Sequence, residues 1–311
     1  MSQEILLLVE KCSHCFSFYD VATGARLHSI PLEEYPHEFV VDTARRFAYV
    51  GHYGVETSGH LGAGGTKIFQ IDIRERRLVR TIDVAPFNRL HGMQMDREGR
   101  LFVLSEDRAQ LLVLDRPASD TAPRRAVPTG GIKSHLFALS RDGQTAYSMN
   151  LLSHTVTKIR PFDATVAPVP CAPGEKPEGY ALSADEQTLY VTCRWSNTLC
   201  AIDTATMRVL RSAPSRDDAT RLYQYRDGRL VVTNYGERSL SIVDPADLRE
   251  LGHVPLEARA IALSYHPARP LAYVSQDNDK LGIFNMETLK FERFISTQRE
   301  PDVSCLVLLD D

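Results

Sequence analysis

One short phrase returns seven times along this 311-residue chain. Two or three polar or turn residues lead into an alternating apolar strand. The copies are Pro36-His37-Glu38-Phe39-Val40-Val41, Leu90-His91-Gly92-Met93-Gln94-Met95, Ser134-His135-Leu136-Phe137-Ala138-Leu139 and Pro177-Glu178-Gly179-Tyr180-Ala181-Leu182. Ala219-Thr220-Arg221-Leu222-Tyr223-Gln224, Ala258-Arg259-Ala260-Ile261-Ala262-Leu263 and Pro301-Asp302-Val303-Ser304-Cys305-Leu306 complete the set. Their second residues stand at 37, 91, 135, 178, 220, 259 and 302, so the phrase recurs every 39–54 residues. A repeat of roughly 40–45 residues is the period of a four-stranded propeller blade. Each unit continues with a turn such as Arg141-Asp142-Gly143. A β-branched and aromatic strand such as Leu189-Tyr190-Val191-Thr192 follows, then a third strand ending near an Asp, such as Leu199-Cys200-Ala201-Ile202-Asp203. Alternation at period two is the strand signal, and no segment sustains a period of 3.6.

Tyr49-Val50-Gly51-His52-Tyr53-Gly54, Tyr190-Val191-Thr192 and Val232-Thr233-Asn234-Tyr235-Gly236, with Ile202-Asp203-Thr204-Ala205-Thr206, resemble the repeat of the bacterial YVTN/YncE-like propellers. The resemblance covers the whole chain and implies an all-β, seven-bladed β-propeller. It implies no one activity, because one propeller fold hosts many functions. The chain begins on what would be a second strand (residues 4–9) and ends on an innermost one (residues 302–309). The C-terminal strand is therefore expected to complete the blade that the N-terminus begins, which protects the sheet edges. One domain over residues 1–311 follows. The longest interval is explained by a Gly-rich insertion, residues 55–65, read either as a lid or as a disordered surface loop.

Composition narrows the partners. Lys and Arg total 36 against 40 Asp and Glu, which gives no electrostatic reason to expect nucleic acid. No apolar run approaches the roughly 20 residues of a membrane helix. Met1-Ser2-Gln3-Glu4 has none of the marks of a secretory leader, and six cysteines are too few for a disulfide scaffold. The expectation is a cytoplasmic protein.

If innermost strands line a channel, the lead residues His37, His91, His135, Glu178, Thr220, Arg259 and Asp302 converge at its mouth. Asp302–His37–His91–His135–Glu178 would then form one arc of proton-transferring or metal-ligating groups. Imidazole titrates near neutral pH and a carboxylate can orient it. His91 or His135 is expected as general acid or base with Glu178 as partner, and Asp302 is expected to orient His37. The same imidazoles with Glu178 suit a divalent metal such as Zn, Fe, Cu or Mg held by His37, His91, His135 and Glu178. Arg259 and Arg194 would clamp an anion. His52, Tyr53, Trp195, Asn234 and Tyr235 would form a substrate-binding rim, and Glu106 and Asp107 lie on the same rim.

Cys12-Ser13-His14-Cys15 has the spacing of a metal knuckle but lacks a second pair, so a plain turn is expected, with a redox or metal contribution as the alternative. Cys200 and Cys305 are expected as core residues, and His14, His28, His154, His253 and His266 as solvated. No phosphate loop, dinucleotide turn or nucleophile elbow is present. Two functions compete. One is an enzyme of lyase, cyclase or hydrolase type acting on a small polar or anionic molecule, as the architectural resemblance to streptogramin lyase, sugar-phosphate lactonases and muconate cycloisomerase implies. The other is a non-catalytic propeller that binds a metal, a cofactor or a protein partner.

Overall fold

The alternating phrases form strands, and the strands assemble into seven four-stranded antiparallel sheets. The computed structural model describes residues 3–309, so Met1 and Ser2 of the acidic start lie outside the described residues. The sheets are the blades of a seven-bladed β-propeller. Blade one is Pro301–Leu309, Gln3–Glu10, Cys15–Asp20 and Arg26–Pro31. Blade two is Pro36–Val41, Phe47–His52, Lys67–Asp72 and Arg77–Asp83. Blade three is Leu90–Met95, Leu101–Ser105, Gln110–Leu114 and Arg125–Pro128. Blade four is Ser134–Leu139, Ala146–Asn150, Thr155–Ile159 and Val169–Cys171. Blade five is Pro177–Leu182, Thr188–Cys193, Thr198–Asp203 and Arg208–Pro214. Blade six is Ala219–Gln224, Leu230–Asn234, Ser239–Val243 and Glu250–Pro255. Blade seven is Ala260–Tyr265, Leu271–Gln276, Lys280–Asn285 and Lys290–Ser296. The one helical turn among the described residues is a 3₁₀ turn, Lys11–Ser13. No helix among them is long and apolar enough to cross a membrane.

Two compact units divide the chain: Met1–Leu90 with Ala260–Asp311, carrying blades one, two and seven, and His91–Arg259, carrying blades three to six. In the first unit the closing blade uses both sheet faces, as period two dictates. Ile5, Leu7 and Val9 pack with Val50 and Phe69 of blade two. Leu6 and Leu8 pack with Tyr273 and Leu281 of blade seven. Each such side chain contributes about 1.5–3 kcal/mol by leaving water. In the second unit the same scheme repeats, as where Phe102 and Leu111 of blade three meet Phe137 and Ile159 of blade four. The fourth strands are the most exposed, as in Arg208–Pro214.

Local geometry repeats as faithfully as the strands. In blades one to six a left-handed residue immediately precedes the first strand: Glu300, Tyr35, Arg89, Lys133, Lys176 and Asp218, with φ between 49° and 59°. Several of their N–H groups donate to a side chain from the loop of the preceding blade. Tyr35 donates to His14 Nδ1 (2.9 Å), Lys176 to His154 Nδ1 (3.0 Å), Asp218 to Asn197 Oδ1 (3.1 Å) and Glu300 to Asp279 Oδ1 (2.9 Å). His14 and His154 are thus turn acceptors. The strand pairing slips just after the first strand begins in blades two, four, five and six, at 36/39, 134/136, 177/180 and 219/221. A bulge of this kind re-aims one side chain out of the ladder. The repeated Thr satisfies the disturbed backbone. Thr192 Oγ1 accepts the Gly179 N–H (3.1 Å), and Thr233 Oγ1 accepts the Arg221 N–H (3.1 Å).

Inside the closing blade lies a fully buried carboxylate. Glu10 accepts hydrogen bonds from Ser17 Oγ (2.5 Å), Tyr19 Oη (2.6 Å) and the Gln298 N–H (2.6 Å). A buried charge is tolerated when such donors replace water. Tyr19→Phe leaves one carboxylate oxygen a donor short and is expected to lower unfolding stability by about 1–3 kcal/mol. The shift of the urea midpoint checks this, and an unchanged midpoint refutes it.

Candidate active site

The repeated bulge places one residue per blade, the second of its first strand, in a common register. The six phrases beginning at Pro36, Leu90, Ser134, Pro177, Ala219 and Pro301 coincide with strand starts, so His37, His91, His135, Glu178, Thr220 and Asp302 share that register. Blade seven differs. Its strand begins at Ala260 and its bulge lies at 260/262, so Ile261 holds the lead position and Arg259 precedes the strand.

Within the unit His91–Arg259, four blades assemble one polar chain. His135 Nδ1 donates to Glu106 Oε2 at 2.5 Å, and its Nε2 lies 3.8 Å from Glu178 Oε1. Glu178 Oε2 accepts from Arg194 Nη1 (2.8 Å), and the rest of that guanidinium grips Asp218 bidentately at 2.5 and 2.7 Å. Glu106 comes from the end of the second strand of blade three, His135 from blade four, Glu178 and Arg194 from blade five, and Asp218 from the turn into blade six. The His91 ring lies on the His135 ring at 3.6 Å between centroids, tilted by 34°. His91, Glu106, His135 and Glu178 are all buried. Lys133 Nζ stands 4.0 Å from the other oxygen of Glu106.

Electrostatics fix the charge of Glu178. Burial by itself would raise its pKa. The Arg194 guanidinium, His135 and Arg221 outweigh that and hold the carboxyl down at about 2. Arg194 is pushed above its ordinary range: burial opposes its charge, but Glu178 and Asp218 more than compensate. Glu178 is therefore a fixed anion at neutral pH.

The unit Met1–Leu90 with Ala260–Asp311 holds the remaining lead residues. His37 Nδ1 lies 2.7 Å from Asp302 Oδ2, and the Tyr53 ring meets the His37 ring edge-on at 5.4 Å. Lys11 is buried beside them, 2.7 Å from Glu300 Oε1. Burial disfavours its charge, but Asp302 and Glu300 overcome this and raise its pKa.

The predicted rim divides. Tyr235 lies under two cations, with the Arg259 guanidinium 4.7 Å and the Arg194 guanidinium 5.9 Å from its centroid. Trp195 is 55% exposed, with Lys176 Nζ 5.2 Å from its ring. Asn234 is buried and donates to Ser239 Oγ and Ser241 Oγ, both at 2.9 Å, which binds the second strand to the third. Tyr53 is likewise buried. His52 is buried with its Nδ1 3.9 Å from Glu33 Oε2, and burial is the largest cause of its lowered pKa. Thr220 turns its hydroxyl back to the Asp218 carbonyl (2.9 Å).

The insertion 55–65 is pinned. The Arg89 guanidinium donates to the carbonyls of Ser58, His60 and Gly62, and Asn88 donates to that of Ala63. Cys12 and Cys15 do not converge: Cys12 donates to Glu300 Oε2 (2.9 Å) and Cys15 to Glu10 Oε2 (3.3 Å). Burial is the main cause that pushes the two thiols up to about 12 and about 11, so both stay protonated at neutral pH. His266, expected in solvent, is buried with Nε2 3.0 Å from Glu4 Oε1, because the turn after the first strand of blade seven packs on the closing blade.

No protein family matches this chain, and no curated protein matches it by sequence. Solved structures do. The chain is similar to dihydro-heme d1 dehydrogenase NirN in complex with DHE, with TM-score 0.68 and 16% identity over 94% of this chain and 63% of that one. It is similar to the hydrazine synthase of Kuenenia stuttgartiensis, with TM-score 0.71 and 15% identity over 95% and 93% of the two chains. It is also similar to a chain of the mitotic checkpoint complex, with TM-score 0.76 and 12% identity over 90% and 83%. The chain thus spans less than two thirds of the length of the first. At such identities the likeness is one of fold alone.

Proposed function

We propose that this protein is an enzyme that performs acid–base chemistry of lyase, cyclase or hydrolase type on a small polar or anionic molecule, with His135 as the proton carrier. The observation that carries the reading is the short, buried Glu106–His135 contact, with Nε2 on the far side of the ring directed toward Glu178. A carboxylate on Nδ1 fixes the tautomer and balances the charge when Nε2 takes a proton. In an elimination, Nε2 accepts the proton as the C–H electrons form the new double bond. It then returns that proton to the departing group, so no further reactant is consumed. Glu178, locked as an anion by Arg194, sets the field around Nε2. Arg259, braced on Tyr235, and Lys133 attract the substrate's negative charge. We place the protein in the cytoplasm, with its six cysteines free, and among the YVTN/YncE-like propellers on its repeat residues.

The test needs no prior substrate. Purified protein is incubated with a polar metabolite extract, and the extract is compared by mass spectrometry with one exposed to His135→Ala. At least one small anion should be consumed by the parent alone. Identical extracts, with both proteins folded by circular dichroism, refute the proposal.

A second reading has its own support. A carboxylate behind Nδ1 is also how proteins orient a metal-binding histidine, which would leave His135 Nε2 and His91 to hold Zn, Fe or Cu. Elemental analysis separates the two: stoichiometric metal that is lost in His91→Ala favours the metal.

A further inference from the structure

At the end of blade two away from His37, two hairpin turns and the first strand of blade one, Pro301–Leu309, surround a cleft of about 700 Å³. Arg45 and Arg46 enter it from the turn after Pro36–Val41, and Arg74 and Arg77 from the turn after Lys67–Asp72. Leu308 and Leu309 form an apolar wall. Asp72 and Glu75 are the acidic residues lining it. Asp72 is partly used by its own turn, accepting the Glu75 N–H at 2.9 Å, and its other oxygen lies 4.0 Å from Arg46 Nε. Among the described residues, four guanidinium groups stand against two carboxylates in this cleft, in a chain whose formal net charge is −4.

Arg45 stands where the backbone favours glycine. Its φ is +54°, and its N–H closes the turn on the Asp42 carbonyl. The same turn position in blades three, four and six is Gly99, Gly143 and Gly228, at φ 80°, 70° and 95°. Glycine adopts this conformation freely, whereas a side chain there is strained. In blade five the position is Glu186, at φ 59°, so the turn accepts different side chains and does not itself call for arginine.

We propose that this cleft binds an organic di- or triphosphate. Guanidinium groups pair bidentately with phosphate oxygens, and several converging on one cleft favour a ligand with several phosphates over a single one. The leucine wall suits the ligand's organic part, and the cleft has the volume of a small-molecule site.

Isothermal titration of the full chain, in low salt without divalent metal, uses orthophosphate, pyrophosphate, tripolyphosphate and ATP as probes. Affinity should rise with phosphate number, and ATP should bind at least as tightly as tripolyphosphate. Arg45→Gly should weaken tripolyphosphate about tenfold or more while its thermal midpoint stays level or rises, because glycine relaxes the turn. Arg74→Gln should weaken binding without changing the midpoint. The proposal is overturned if tripolyphosphate shows no saturable heat below about 1 mM, or if Arg45→Gly binds like the parent. Equal affinity for orthophosphate and tripolyphosphate overturns it too. A marked preference for heparin over ATP also overturns it, as a surface for long polyanions.

Discussion

Arg194→Met is expected to cost about 3–5 kcal/mol of folding stability at neutral pH. The substitution keeps most of the side chain's bulk but removes the cation that pairs Glu178 and Asp218. Glu178 is buried, so its charge is left with only the smaller compensation of His135 and Arg221. The pH dependence distinguishes this from simple loss of packing. In the parent, the folded pKa of Glu178 is about 2 against an ordinary 4.5. A depressed carboxylate pKa contributes stability that is fully present above pH 4.5 and is lost as pH falls through 2. That contribution is about 3 kcal/mol at neutral pH. In Arg194→Met the largest counter-charge is gone and burial weighs more heavily against the charged form, so this group's contribution shrinks and the variant gains less from rising pH. Urea midpoints from pH 3 to 8 should therefore show a wide gap between parent and variant at neutral pH that narrows in acid. Adding Glu178→Leu should restore most of the loss, since an apolar pair removes the stranded charge. A gap independent of pH would contradict the assignment of Arg194 as the counter-ion.

Glu106→Gln is expected to lower turnover of the anion found by metabolite comparison by about 10²–10⁴, mainly in kcat. The amide retains the shape and can still hydrogen-bond His135 Nδ1, but it cannot balance a protonated imidazole. KM should change less than kcat, because the proposed anion-binding cations Arg259 and Lys133 are both retained, although Lys133 loses the charge of Glu106 beside it. A purely structural Glu106 would give a variant of lower stability with kcat per folded molecule unchanged. Steady-state kinetics normalised to the folded fraction separate the two outcomes.

The fold was legible because it is written seven times. Period-two alternation with turn residues at a near-constant spacing leaves few alternatives, and six phrases mark the first residue of a strand. The seventh misled for a physical reason. In Ala258-Arg259-Ala260-Ile261-Ala262-Leu263 alanine stands at every second place, and alanine is compatible with either register. The structure gives the lead position to Ile261, in the one blade whose first strand lacks the preceding left-handed residue. Site residues were legible only as members of a register. That Glu106 reaches across to the next blade's His135, and that Asp218 holds Arg194, depends on how adjacent sheets sit side by side. Such proximity leaves no mark on linear spacing. Asn234 and Tyr53 were read as a rim because loops and strand ends look alike in sequence. Their burial is set by the Ser239–Ser241 hydroxyls and the His37 ring, which only packing brings together.

The pairing of Gln3 with Leu309 has a consequence for biosynthesis. The strand Gln3–Glu10 is synthesised well before its hydrogen-bonding partner Pro301–Leu309, with blades two to seven made in between. In that interval its Ile5–Val9 stretch, wholly buried in the finished protein, presents an open edge that other nascent chains could join. Blade one cannot close until Pro301–Leu309 has been made, and the yield of native protein should depend on how long that edge is kept from strangers.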